Sequence, residues 1–200
     1  FRFDGPLDMR MEKDGMSAAD AVNRLAEKEL ADIIFRYGEE RASRKIARAI
    51  VELREQSPIT RTGQLAEVVR RVVRRSKDGI DPATRTFQAL RIYVNEELAE
   101  LDRGLAAAAT LLGEGGRLAA VSFHSLEDRR IKMFFQERSG AGPAPSRHMP
   151  IIGAAAMSLF SVPEKRGRVA GEAEVNRNPR ARSARLRWGI RTAAPLPAAA

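Results

Sequence analysis

The hydrophobic period of this chain changes once, and the change falls at Gly113-Glu114-Gly115-Gly116. Before it, apolar residues recur at helical spacing through about residues 12–112. After it, a short apolar run, Arg117–Phe123, stands between turn signals and reads as a buried strand. A helical pattern follows at about Leu126–Gln136, with strand-like runs at Met157–Val162 and Ala184–Arg191 and a short turn or helix at Gly171–Asn176. A chain of 200 residues built this way makes one large domain, or a domain with an insertion. The four glycine-flanked positions follow a helix and precede a strand, so they stop a helix rather than cradle a phosphate.

The helical part subdivides at its breakers. Ser17-Ala18-Ala19-Asp20 has capping-box form and opens a helix through Leu25. Others are expected over Lys28–Tyr37, stopping at Gly38, over Glu40–Arg54 and over Thr62–Arg74. Lys77–Ile80 reads as a loop. Asp81 is the expected N-cap and Pro82 the first residue of one long helix reaching Leu112. Its apolar stripe is Phe87, Leu90, Val94, Leu98, Leu101 and Leu105, and its polar stripe is Arg85, Gln88, Arg91 and Asn95. The polar stripe fits a solvated face or a buried network lining a cleft. Residues 138–150 read as a loop, and the Ala/Pro stretch from Ala193 as a disordered tail.

The first residues are less usual. Asp4-Gly5-Pro6 is turn chemistry, and Leu7–Met11 alternates, with Asp8 and Arg10 on one side and Leu7, Met9 and Met11 on the other. Such an extended stretch needs a wall, and nothing before it supplies one.

Net charge is +9 and the isoelectric point about 10.7, which favours a polyanionic partner. The cations form three clusters: Arg41/Arg44/Lys45/Arg48, Arg70/Arg71/Arg74/Arg75 and Arg177/Arg180/Arg182/Arg185/Arg187. A solvated face explains any one; three rich in Arg favour nucleic acid. Aromatics at 6% argue against a base-stacking platform of the single-strand type. With no Cys and only His124 and His148, thiolate and histidine metal sites are excluded or improbable. No apolar run suits a membrane span, and a cytoplasmic setting is the default.

Ser122-Phe123-His124-Ser125-Leu126-Glu127-Asp128-Arg129 carries the most concentrated chemistry. It joins a strand to a helix, where α/β folds bind ligands. Ser125 and Asp128 have capping-box spacing, so capping is the expected role of Ser125. His124 reads equally as a site residue and as a satisfied structural histidine.

Together, Gly5–Met11, Tyr37–Arg41, Pro82–Arg91 with Val94-Asn95, Ser122–Arg129 and Asn178–Ser183 resemble, in this order, the RsmH (MraW) methyltransferases. The resemblance runs from residue 1 to about 191. It implies the C-terminal part of a class I, Rossmann-like α/β methyltransferase with an inserted all-helical subdomain. On that pattern 1–12 ends the first part of the catalytic domain, 13–80 is the insertion, 81–191 is the second part and 192–200 is a tail. The implied reaction is methyl transfer from S-adenosylmethionine to N4 of a cytosine in 16S ribosomal RNA of the small subunit. A homodimer is compatible with this and a membrane partner is not expected. Asp8 and His124 are the implied proton-handling or orienting groups. Arg10, Arg85, Gln88, Arg91, Asn95, Ser125, Asn178, Arg180 and Arg182 are the implied RNA-binding groups. The family's glycine-rich cofactor loop and ribose-binding acid precede Gly-Pro-Leu-Asp in the family pattern, so this span is expected to lack the main donor site and, alone, activity. The rival readings are a non-enzymatic RNA-binding module and a class I methyltransferase with another substrate.

Overall fold

A computed structural model describes residues 3–74, 79–140 and 158–196 and divides into two compact units, 1–97 and 98–200. The first is helical: α1 (Ala18–Arg24), α2 (Glu27–Gly38), α3 (Ser43–Gln56), α4 (Thr62–Val72) and α5 (Ala83–Val94). Ser17 caps α1 reciprocally with Asp20, as the spacing predicts. One face of each helix is apolar, and Leu30, Ile34, Ile46, Ile50, Leu65, Val69 and Leu90 close into one core. Burial of each such side chain contributes roughly 1.5–3 kcal/mol.

Gly38 ends α2, but the left-handed turn belongs to the next residue, Glu39, at φ 50°. What requires glycine at position 38 is proximity. A Cβ there would meet the carbonyl oxygen of Arg85 in α5 at 2.6 Å.

The first residues run beside the start of α4. Leu7 N–H donates to Thr60 O at 2.9 Å and Thr62 N–H to Gly5 O at 2.9 Å. Asp4 Oδ1 accepts from Gly63 N–H at 2.9 Å, at the head of α4. Leu7 is 1% exposed and belongs to the helical core, so its wall lies downstream in this same chain. The expected alternation breaks at Met9, which has φ 66°, and Met11 turns out to solvent.

The expected single helix over 81–112 is two. The N-cap is Pro82 rather than Asp81, α5 runs from Ala83 to Val94, and Asp81 accepts from Ala83 N–H at 2.9 Å from one residue earlier. Asn95 leaves helical geometry, Glu96 takes φ 48°, and α6 (Glu97–Leu111) follows. The apolar stripe divides accordingly: Phe87 and Leu90 join the first core, Leu105 the second.

The second unit holds most of α6, then β1 (Arg117–Ser122), α7 (Ser125–Arg138), β2 (Phe160–Ser161), β3 (Arg168–Val169), α8 (Glu172–Arg177) and β4 (Arg185–Arg191). A 3-10 turn at Pro179–Ser183 precedes β4. Strand β4 pairs antiparallel with β1, β2 and β3, so every strand pairing among the described residues is antiparallel. The architecture is mixed α/β with a small antiparallel sheet. Strand β1 is not the continuously buried run that its composition suggests. Its residues alternate between exposed and half-buried until Ser122, because its described ladder is with β4 alone. Phe134, Phe135 and Phe160 interlock edge to face or tilted, with centroids 5.3–5.9 Å apart, and anchor the second core. The helix stop at 113–116 is as expected: Gly115 has φ 76° and its N–H donates to Arg191 O at 2.9 Å. Most of the expected 138–150 loop, the start of the Met157–Val162 run, part of the 77–80 loop and the last four tail residues lie outside the described residues.

Replacing Gly38→Ala is expected to push α5 off α2 and destabilise the first unit by about 1–3 kcal/mol. Urea unfolding monitored by circular dichroism measures it; an unchanged midpoint contradicts the close approach.

Candidate functional site

In the first unit the motif residues converge on the backbone of residues 8–11. Asp8 and Arg10 form a bidentate pair, Nε to Oδ1 at 2.7 Å and Nη2 to Oδ2 at 3.0 Å. Arg10 Nη1 also donates to Lys13 O and Gly15 O at 2.7 and 3.2 Å. The Arg10 hydrogen bond holds the Asp8 carboxyl below the usual carboxylate range. Asn95 completes the arrangement. Its amide nitrogen donates to Met9 O at 2.8 Å and to Arg91 O at 2.9 Å, and its oxygen accepts from Met11 N–H at 2.7 Å.

The rest of the polar stripe is occupied too. Gln88 donates to Tyr37 O at 3.1 Å. Arg91 forks onto Glu97 at 2.7 and 2.9 Å. Arg85 lies 3.8 Å from the carboxylate of Glu40, itself buried and accepting from Ala42 N–H at 2.8 Å. Of the two sequence readings, the network holds for Gln88, Arg91 and Asn95, while Arg85 is exposed.

In the second unit, β1 delivers Phe123 and His124 to the head of α7. The expected cap, Ser125, is the first helical residue; His124 is the N-cap. Its Nδ1 accepts from Glu127 N–H at 3.3 Å, while Glu127 Oε2 accepts from Phe123 N–H at 2.8 Å. The box is thus His124/Glu127, one residue earlier than Ser125/Asp128, because an imidazole nitrogen can take the place of a hydroxyl. Nε2 lies 3.3 Å from Glu127 Oε1, yet it is buried with no aligned hydrogen-bond partner among the described residues. Burial alone would raise the Glu127 carboxyl; the His124 imidazole beside it and the backbone N–H groups of Phe123 and His124 outweigh it, and the net shift is downward.

Asp128, freed from capping, pairs with Arg187 at 2.6 and 3.0 Å and lies 3.6 Å from Arg185 Nε. The third cation cluster therefore splits. Arg185 and Arg187 tie β4 to α7, whereas Arg177, Arg180 and Arg182 are exposed and make no ion pair among the described residues. Asn178 Oδ1 accepts from Arg180 N–H at 3.2 Å and starts the 3-10 turn, whose Ala181 is buried and whose arginines face out. In the first cluster Arg48 lies 3.7 Å from Glu27, and Arg41, Arg44 and Lys45 are exposed. In the second, Arg70 pairs with Asp81 at 2.6 Å and Arg71 with Glu67 at 3.6 Å; Arg75 and His148 lie outside the described residues. Sequence reasoning missed Asp4, Glu40, Glu127 and the Asp128–Arg187 pair. Only Glu127 left a readable signal, the His-x-x-Glu spacing.

The model of the MraW methylase family matches residues 1–192. The chain belongs to the MraW methylase family. It is 63% identical over 195 residues to a ribosomal RNA small subunit methyltransferase H of Rhodospirillum centenum, covering 98% of this chain and 59% of that one. A second protein of that name, from Paramagnetospirillum magneticum, is 60% identical over 196 residues, 98% of this chain and 62% of its own. This chain thus spans about three-fifths of the length of these relatives. No helix among the described residues is long and apolar enough to cross a membrane.

Glu127→Ala is expected to remove the carboxylate half of the α7 capping box, leaving the backbone N–H of position 127 on His124 Nδ1, and to cost about 1 kcal/mol. Its carboxylate, with a lowered folded pKa, adds stability above the ordinary glutamate value of about 4.3, lost as pH falls through the folded value. Acid titrations of unfolding should therefore separate parent and variant near neutrality and converge at low pH. A constant difference at all pH values contradicts the charged cap.

Proposed function

We propose that this span is the RNA-handling part of a methyltransferase that moves a methyl group from S-adenosylmethionine to N4 of a cytosine in 16S ribosomal RNA, in the cytoplasm. Identity near 60% with relatives named ribosomal RNA small subunit methyltransferase H carries this reading.

The described residues do not themselves fit the donor. At the β1–α7 junction the head of the helix is closed by His124 and Glu127, and the backbone of Gly115 is spent on Arg191 O. No step is therefore derived through the donor, which on this reading is held by parts of the relatives outside the matched span.

The chain's own residues divide into holders and binders. Asp8, kept ionised by Arg10, is too weak a base to deprotonate a neutral aromatic amine. It can accept a hydrogen bond from N4 and take a proton only from nitrogen already carrying positive charge. His124 has Nδ1 engaged and Nε2 buried beside Glu127, so its part is to set the strand-to-helix corner. Arg10, Arg91, Asn95 and Gln88 set the framework rather than touch RNA. Arg180 and Arg182, with Arg177, supply phosphate contacts, and Asn178 fixes the turn that presents them. Arg85 and Ser125 complete the surface on their respective units.

The closed α7 head favours a second reading, an RNA-binding module without methyl transfer. Two measurements separate the readings. In a protein extended to the relatives' length, labelled methyl should appear at one cytosine N4 of small-subunit RNA; methyl on another atom or on protein contradicts the assignment. With this chain, Arg180→Ala/Arg182→Ala should weaken RNA binding and lower the salt slope by about 1.4–1.8, two phosphate contacts' worth. An unchanged slope removes these arginines from the interface.

A further inference from the structure

The second unit contains a cavity of about 100 Å³ that none of the roles above uses. It lies between the last turns of α7 and the turn that joins β2 to β3. That turn is locked onto β4. Lys165 O accepts from Arg187 Nη1 and Arg166 O from Arg185 Nη1, each at 2.9 Å. Gly167 takes φ 71°, and a Cβ there would meet Leu186 O at 2.9 Å. The turn thus holds the exposed Lys165 at a cavity that the exposed Lys132 of α7 also lines. We infer that this cavity binds one phosphate group, and that the phosphate belongs to an RNA backbone.

Charge decides the sign of the ligand. Of the four charged residues in the wall, two are already matched. Glu164 pairs with Arg168 at 2.9 Å, and Arg187 with Asp128 at 2.6 Å. Lys132 and Lys165 have no ion-pair partner among the described residues. Two positive charges are left over, and an anion takes them up. Donors decide its shape. Arg187 is 7% exposed, and a guanidinium carries five N–H groups. Three are taken by Asp128 and Lys165 O, so two remain on a buried cation that lines the cavity. The two ammonium groups and the Gln136 amide add further donors. A helix, a turn and a strand thus supply donors together. A carboxylate offers two oxygens in one plane, whereas a phosphate offers its oxygens tetrahedrally and can accept from all three elements. Size decides how much of the ligand enters. The cavity has room for a phosphate but is well short of the several hundred Å³ of a pocket for a larger ligand, so base and ribose stay outside. Arg187 therefore meets a phosphate oxygen and no base. An RNA backbone is the source that a net charge of +9 attracts. Arg177, Arg180 and Arg182, exposed on the same unit, offer contacts to further phosphates.

This inference rests on the RNA reading only for the source of the phosphate. Calorimetric titration of the 200-residue chain with inorganic phosphate at low ionic strength should saturate. Acetate at the same ionic strength should bind about tenfold more weakly. The Lys132→Ala/Lys165→Ala double variant should lose about tenfold in phosphate affinity, while Lys132→Arg/Lys165→Arg, which keeps both charges, should retain it. Circular dichroism of both variants checks that the fold is kept. With RNA as the ligand, the alanine variant should lower the salt slope by about 0.7–0.9, one phosphate contact's worth. The inference is overturned if inorganic phosphate does not saturate, if acetate matches it, if the alanine variant binds phosphate as the parent does, or if the arginine variant loses as much as the alanine one. Phosphate binding with an unchanged RNA slope overturns RNA as the source. Methyl incorporation that fails while phosphate binding persists overturns the enzymatic reading and not this one. Methyl incorporation without phosphate binding overturns this one alone.

Discussion

The amide of Asn95 is the interaction on which the first unit's candidate site depends. At the point where α5 ends, one side chain donates to Arg91 O and Met9 O and accepts from Met11 N–H. Those bonds satisfy a helix-end carbonyl and two groups of a segment with no ladder of its own. They hold Met9 in its left-handed conformation, and that turn lets Asp8 and Arg10 fold onto each other. The same segment is also held by Ala18 N–H on Asp8 O at 2.7 Å and by Arg10 on Lys13 O and Gly15 O. Asp8 owes part of its orientation to a residue more than eighty positions away.

The second unit uses the same economy at the head of α7. A histidine accepts one helix N–H and a glutamate accepts the N–H just before it, so the strand-to-helix corner is set by reciprocal bonds. Asp128 is then available to hold Arg187, a buried cation at 7% exposure that needs a partner. Across the molecule the arginines sort by what already occupies them. Arg10, Arg54, Arg91, Arg185 and Arg187 are committed to carboxylates or backbone carbonyls. Arg180 and Arg182 are exposed on the 3-10 turn and Arg177 at the end of α8. A basic composition says only that a polyanion would be attracted; occupancy indicates where it could be held.

Much of this was legible in the sequence, and the failures have physical causes. The start of α1 at Ser17 was readable because a short hydroxyl side chain readily bonds the helix N–H groups just ahead of it. The break at Asn95–Glu96 was not, because helical periodicity continues through it and a left-handed glutamate leaves no compositional mark. The cap at α7 was displaced by one residue because imidazole is rarely counted as an acceptor. The alternation of Leu7–Met11 predicted an extended segment correctly for Leu7 and wrongly for Met9 and Met11, where a long-range side-chain clamp overrode the local pattern. The Lys132/Lys165 cavity joins a helix to a turn distant in sequence, and no spacing rule reveals it.

The account's central claim is that exposure and occupancy, rather than charge, mark where RNA meets this chain. Ultraviolet crosslinking to small-subunit ribosomal RNA, with crosslinked peptides identified by mass spectrometry, tests it directly. The account predicts adducts on the peptides carrying Arg177–Arg182, and none on the Arg185–Arg191 strand. Crosslinks concentrated on that strand, or on α4 with its paired arginines, would contradict it.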